Sequence, residues 1–447
     1  MSTVDDSDLA GLADADRLPD HLSSWLAAVP DAGRRARQIA SLDPPERARV
    51  LQFLEQTDLA ELLDHASPHD GADVLARLDA PLRARALTAA APDVTAEILR
   101  LLPDDERLEA QRMLPDGQRQ VIAGLLSRPA DSVGARMTPH VTAIPDDLSI
   151  KEANRAARAQ AADTETLAYI YVTDAAGVLV GVMSFRDLVL APGDALVRDV
   201  MDTDLLSVDA DYDQEQAARM LIRNHLFALP VVDAGRLIGI ITSDDVADIV
   251  DEEFTEDAER QGGSNPLETP YLRASPLLLW RKRIIWLLVL FVAEAYTGTV
   301  LRHFEAELDE VVALSFFIPL LIGTGGNTGT QITSTLVRAM ALGDVRLRDM
   351  GRVIVKELSA GSFIAITMAV AAIIRAWTLG VGVEVAVTVT LTVAAIVLWS
   401  SFIGSVLPLL LRRVGLDPAV VSAPMISTIV DGTGLVIYFE IARLVMF

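Results

Sequence analysis

Not one of the 447 residues is cysteine. Disulfides and thiolate metal sites are excluded together. Histidine is scarce as well: the six (His21, His65, His69, His140, His225 and His303) show no ligand spacing. Metal chemistry is left to oxygen, which suits Mg²⁺, Ca²⁺ or Mn²⁺ better than Zn²⁺ or Cu²⁺. Basic charge is also in short supply, with 38 Lys+Arg against 62 Asp+Glu for a net of −24. Such acidity repels nucleic acid and attracts cations. The first residues lack the basic region and short apolar core of a secretory leader, so the polar half is expected in the cytoplasm. No phosphate-cradling Gly-Lys loop, nucleophile–base pair or intramembrane proton relay occurs, so neither an enzyme nor a pump is expected.

The chain divides by charge. Residues 1–267 hold 49 acids and 24 bases, a net of −25, while the remainder holds 13 and 14. A helix needs about 20 mostly apolar residues to cross a bilayer. Five segments qualify, near 284–303, 311–340, 353–378, 384–411 and 419–445. Basic residues precede the first span (Arg281, Lys282, Arg283) and fill the second connection (Arg338, Arg346, Arg348, Arg352) and the fourth (Arg412, Arg413). The first connection is acidic and the third nearly uncharged, so the soluble half reads as inside and the short C-terminus as outside.

Two spans carry unusual residues. The second, FFIPLLIGTGGNTGTQITSTLVRAMALG, holds Pro319, Gly323, Gly325, Gly326 and Gly329, with Asn327, Thr328, Thr330, Gln331, Thr333 and Ser334 among them. This reads as a broken helix lining a pore, or as a small-residue packing face. The last span, SAPMISTIVDGTGLVIYFE, carries Asp431 at mid-length. A lone charge there costs about 2.5–3.5 kcal/mol or more, so it marks a functional site or a structural pair with Lys356 or an arginine. Glu357, beside Lys356, reads equally as pore-related or interfacial, and Glu440 as interfacial.

Residues 1 to about 130 are Leu- and Ala-rich with helical periodicity and recurrent Pro/Asp helix starts, which predicts a superhelical stack of short helices. From 131 to about 250 the chain repeats itself. LAYIYVTDAAGVLVGVMSFRDLV in the first copy answers LFALPVVDAGRLIGIITSDDVADIV in the second, each read as strand, helix, strand, turn, strand, helix. The duplication resembles a tandem pair of CBS domains, a Bateman module. That resemblance implies an adenine nucleotide, ATP, as a candidate ligand of Ser184, Arg186 and Asp187, with Thr242 and Asp245 as the matching pair. Helix capping accounts for Ser-x-x-Asp equally well. Next comes DEEFTEDAER, whose Glu253, Glu256 and Asp257 share one helix face and repel unless a cation intervenes.

The ordered parts resemble the MgtE family of magnesium channels and transporters along essentially the whole chain. The carrying residues are PLLIGTGGNTGTQ, LDPAVVSAPMISTIVDGTGLVIYF, SRPADSVGARMTP and the acidic connecting helix. The resemblance implies a multidomain fold: an all-α superhelical N-terminal domain (1–130), an α/β tandem CBS module (131–250), an acidic plug helix (251–275) and a five-helix all-α transmembrane domain (276–447). It implies a homodimer in the inner membrane, surrounded by lipid, with Mg²⁺ as substrate and regulator and no nucleic-acid partner. Asp431 matches the family's pore carboxylate and Asp417 a site at the cytoplasmic mouth. Asp93, Glu97, Glu215, Asp245 and Asp248 would form the sensor, with Glu253, Glu256 and Asp257 on the plug. The stretch Arg223-Asn224-His225-Leu226 departs from relatives that offer a carboxylate and an aromatic there. Rival readings are a CBS-regulated carrier of Co²⁺, Ni²⁺ or Mn²⁺, an anion carrier, and a membrane-anchored sensor without transport.

Overall fold

The structure, a computed structural model, describes residues 18–446 apart from 43, 162, 163, 165, 167, 268, 270, 273, 421 and 422. The start of the expected helical domain, and Val421 and Ser422 of the last motif, lie outside the described residues. The chain forms two compact units, Met1–Glu252 and Glu253–Phe447.

The first unit begins with short helices of 9 to 11 residues, from Leu18–Ala28 to Asp116–Leu126. Prolines open several of them, at a position where a missing N–H costs nothing, behind caps such as Ser67 and Asp79. Helices two apart in sequence pack together, which stacks them into a superhelix around Leu51, Leu63, Leu75, Leu87 and Leu99. Arginines tie off the exposed ends. Arg83 donates to Leu75 O at 2.9 Å and Arg119 to Gln111 O at 3.1 Å, a second hydrogen bond on carbonyls that already accept the cap N–H of the preceding helix.

Two three-stranded sheets follow. In the first, β1 (Ala143–Pro145) lies parallel to β2 (Tyr169–Thr173), which pairs antiparallel with β3 (Leu179–Ser184). In the second, β4 (Val208–Asp209), β5 (Ala228–Asp233) and β6 (Arg236–Thr242) repeat that order. The β5–β6 turn puts Ala234 and Gly235 both in the left-handed region (φ 49° and 80°), the two-residue geometry that suits strand twist. The copies meet through Tyr171, Ala228 and Ile240, and Leu179 N donates to Gly235 O at 3.0 Å. Each copy thus shows the expected strand–helix–strand–strand–helix order. The final helix of the second copy, Ser243–Gln261, runs unbroken through the acidic stretch and past the boundary drawn at 250.

The second unit contains five long helices: Pro276–His303, Ile318–Ala341, Met350–Leu379, Val383–Arg413 and Ala423–Met446. By length and composition the first four described segments suit a bilayer. The fifth is 24 residues long, enough for about 36 Å at ~1.5 Å per residue. The fourth helix is central, half of its apolar stretch being buried, whereas the first is mostly uncovered. Its Val389, Val393 and Ile396 pack with Leu321, Ile426, Val430 and Leu435.

The second span is not broken. Ile318–Ala341 is one continuous helix, and Pro319 sits in its first turn, where no donor is needed. A 3₁₀ segment, Val312–Phe317, leads into it.

Candidate functional site

The glycines of the second and last spans are points of close helix approach. A methyl at Gly325 would lie 2.6 Å from Val430 Cγ1, and one at Gly326 2.8 Å from Ser427 Oγ. A methyl at Gly432 would lie 2.5 Å from Tyr296 Cδ1 on the first membrane helix. Small residues therefore let the first and second helices close on the fifth around Asp431, the packing role the sequence had offered as an alternative. Hydroxyls on the packed face are spent at home: Thr324 donates to Leu320 O at 2.7 Å and Thr328 to Thr324 O at 2.8 Å.

The other face of the second helix is polar and uncovered. Gly323, Asn327, Gln331, Ser334 and Arg338 are all exposed and recur at helical spacing, forming one stripe along its length. Amide side chains at membrane depth are not solvated by hydrocarbon, so this stripe belongs against water or polar protein. The exposed polar stripe and the glycine packing therefore occupy two faces of the same helix.

Asp431 lies half-buried on the fifth helix. Its Oδ1 is buried and has no hydrogen-bond partner among the described residues. Neither Lys356 nor an arginine pairs with it among the described residues. An ionised oxygen so placed is costly unless a cation or ordered water meets it. Beside it, Thr433 donates to Ile429 O at 2.7 Å and accepts from Trp399 Nε1 at 2.8 Å, fixing the local rotamers.

Asp417 follows the fourth membrane helix. Its Oδ1 accepts from Ala419 N at 2.9 Å, and its Oδ2 receives the Arg260 guanidinium, which also holds Glu256. Arg260 was not anticipated, although it is the only base in DEEFTEDAER. Glu253, Glu256 and Asp257 are half-buried while Phe254, Thr255 and Ala258 are exposed, so the three carboxylates do share a face. Arg338 lies over the Phe254 ring at 5.3 Å. Asn265 N donates to Lys282 O at 3.1 Å, anchoring the following segment on the first membrane helix.

In the first unit, Asp93 is buried (5% exposed) in the first turn of Pro92–Leu101, and Glu97 lies one turn on. Arg136 donates to Glu97 at 2.5 Å and also holds Glu252. Burial lowers the pKa of this guanidinium, but Glu97 and Glu252 more than offset that and hold it above its ordinary value. Asp248 joins the cluster, its carboxyl pushed up by burial and then by Glu97 and Asp244. Glu252, absent from the expected set, is likewise pushed up by burial. Glu215 pairs with Arg219, and Asp245 accepts from Thr242 N at 2.8 Å. Among the described residues no three His, Asp or Glu side chains group closely enough to hold a metal within one chain. The donors are nonetheless all oxygen, which fits Mg²⁺, with Arg136, Arg219 and Arg260 offsetting part of their charge.

Ser184 and Asp187 form a capping box: Asp187 N donates to Ser184 Oγ at 3.1 Å, and Asp187 Oδ2 accepts from that hydroxyl at 2.6 Å. Thr242 and Asp245 repeat it in part. Arg186 and Asp187 are exposed and supply a guanidinium and a carboxylate, groups suited to phosphate and to ribose hydroxyls. In the departing stretch, His225 takes a positive φ of 54°.

A superhelical domain and a CBS pair joined to a helical unit with a carboxylate at membrane depth define a multi-pass membrane protein. Residues 318–441 match the family model of the MgtE divalent cation transporter, 31–131 that of the MgtE intracellular N domain, and 197–252 that of the CBS domain. The chain is 39% identical over 329 residues to the magnesium transporter MgtE of Thermus thermophilus, covering 73% of each. It is 34% identical over 323 residues to that of Bacillus subtilis, covering 71% of this chain and 70% of the relative. A crystal structure of the soluble part of a magnesium transporter matches with a TM-score of 0.51 and 26% identity, over 56% of this chain and 98% of that one. The chain belongs to the MgtE family of magnesium transporters, which is not a family of enzymes.

Proposed function

We propose that this chain is a Mg²⁺ channel of the inner membrane that admits the ion down its electrochemical gradient. The observation that carries this reading is the buried, unpartnered Asp431 Oδ1 in a unit whose second helix bares a polar stripe. Mg²⁺ dehydrates reluctantly and keeps several waters, so amides, waters and one carboxylate per protomer suit it. Two copies of Asp431 across a homodimer axis would match its charge and release it through water. Entry gains about 4.6 kcal/mol per 100 mV of inside-negative potential, at roughly 2.3 per charge. The basic connections support a cytoplasmic soluble half and an outer C-terminus.

Regulation follows from the acidic unit. Mg²⁺ at Asp93, Glu97, Glu215, Asp245 and Asp248, and between Glu253, Glu256, Asp257 and Asp417, would relieve repulsion and hold the pathway shut. The four-part division at 130, 250 and 275 belongs to this reading. ATP at Ser184, Arg186 and Asp187 is its second ligand, supported by the matched strand–helix junctions of the two copies.

The test is Mg²⁺ influx into liposomes carrying the full-length protein. Asp431→Asn should cut it at least about tenfold; influx equal to wild type takes Asp431 out of the ion pathway. In single-channel recordings, Glu256→Gln with Asp257→Asn should raise the Mg²⁺ needed for closure, and unchanged closure removes the plug.

A further inference from the structure

The third membrane helix, Met350–Leu379, turns one long face away from the rest of the chain. Its Gly361, Ala365, Ala372 and Ala376 are buried, and a methyl at Gly361 would run into Ser401 on the fourth helix. On the opposite side, at about 3.6 residues per turn, Phe363, Ile366, Val370, Ile374 and Trp377 form a single exposed stripe, Trp377 being 81% exposed. Ser359 precedes them on the same side, and its hydroxyl is spent on Val355 O at 2.7 Å.

The stripe begins on cations. Arg352 and Lys356 share its side of the helix and are exposed, and exposed Arg348 lies four residues before them. Asp349 holds Arg352 only loosely, at 3.7 Å, and leaves 90% of that side chain exposed. Lys356 pairs with no carboxylate among the described residues. Arg375, the helix's other cation, and Glu357 fall on different sides by their spacing. Lys356 and Trp377 are 21 residues apart, about 32 Å at ~1.5 Å per residue, against about 30 Å for the hydrocarbon core of a bilayer. A cation at one edge and an indole at the other are the anchors of a lipid-facing helix.

Charge says what covers the stripe. A second copy related by a two-fold axis along the membrane normal would set Arg352 and Lys356 against themselves at equal depth, like charge on like. A phosphate answers both: the guanidinium offers two oxygens a fork, and the ammonium adds a point charge. We propose that this stripe seats an anionic phospholipid, in the inner leaflet on the proposed orientation. Its phosphate sits on Arg352 and Lys356, and an acyl chain runs along Phe363, Ile366 and Val370. The site is separate from the ion pathway, and its test reads no ion flux.

Full-length protein is reconstituted in vesicles of equal parts phosphatidylcholine and phosphatidylglycerol and extracted in detergent. Mass spectrometry then counts the phospholipid of each class that stays bound. Wild type should retain phosphatidylglycerol in excess. Arg352→Gln with Lys356→Gln should reduce that excess about fivefold per cation removed, while Arg375→Gln keeps it. Each variant should melt like wild type in phosphatidylcholine alone, which separates lost lipid from lost fold. An undiminished excess in the double variant overturns the proposal. So does an equal loss in Arg375→Gln, which makes the preference one of net charge. Phe363→Cys, with its single thiol, tests the rival occupant under oxidation in the vesicle. A disulfide-linked dimer puts a second copy on the stripe and overturns the lipid; a chain that stays unlinked supports it.

Discussion

The two units handle carboxylates in opposite ways. The soluble unit is crowded with them, and its arginines answer many: Arg136 holds Glu97 and Glu252, Arg128 holds Asp211 and Asp233, and Arg219 holds Glu215. In the membrane unit carboxylates are few, yet Asp431 is left without a protein partner among the described residues. Where charge is cheap, a single acid says little about role. Where charge is costly, an acid left uncompensated points to a visiting cation. On the proposed function, the soluble unit would sense through many weakly informative groups and the membrane unit select through Asp431.

Breaking compensation in the soluble unit should cost most. Arg136→Ala leaves half-buried Glu97 and the more exposed Glu252 without their arginine and should lower stability by about 2–3 kcal/mol, read from thermal unfolding of the solubilised full-length protein. Unchanged melting would mean the cluster is solvated and the contrast between the units overstated. Crowding the membrane unit comes next. Gly432→Ala must push Tyr296 aside, at about 1–3 kcal/mol, with a matching loss of melting temperature. The link at the mouth is half-exposed, so Arg260→Gln should shift the Mg²⁺ concentration for closure only a few-fold, consistent with about 0.5–1 kcal/mol.

The smallest effect lies outside the membrane. Glu307 accepts a hydrogen bond from its own backbone N–H and pairs with Arg443 at 2.6 Å, which holds its carboxyl below the ordinary value. A depressed carboxyl contributes stability above its unfolded pKa and loses it as pH falls through the folded one. Melting temperature should decline across that acidic window, and Glu307→Gln should flatten part of the decline.

Much of this was legible from residues alone. The duplicated Ser/Thr-x-x-Asp junctions exposed the CBS pair, the proline helix starts exposed the superhelix, and the cost of burial singled out Asp431. The apparent break in the second span was not legible, because Pro and Gly content does not say where a helix begins. Pro319 falls in the first turn, and the glycines make contacts with residues about 70 to 105 positions later. The arginine pairs were hidden for the same reason: Arg136 and Glu252 are 116 residues apart, Arg260 and Asp417 157.

The absence of cysteine offers the most direct test of the central claim, that Asp431 and the polar stripe of the second helix line a cation pathway. Asn327→Cys would be the chain's sole thiol, and its reaction with a charged thiol reagent can be timed with and without Mg²⁺. The account predicts that the thiol reacts, that Mg²⁺ slows the reaction, and that adding Asp431→Asn abolishes the protection. An unreactive thiol, or a rate indifferent to Mg²⁺ while Asp431 is intact, would contradict it.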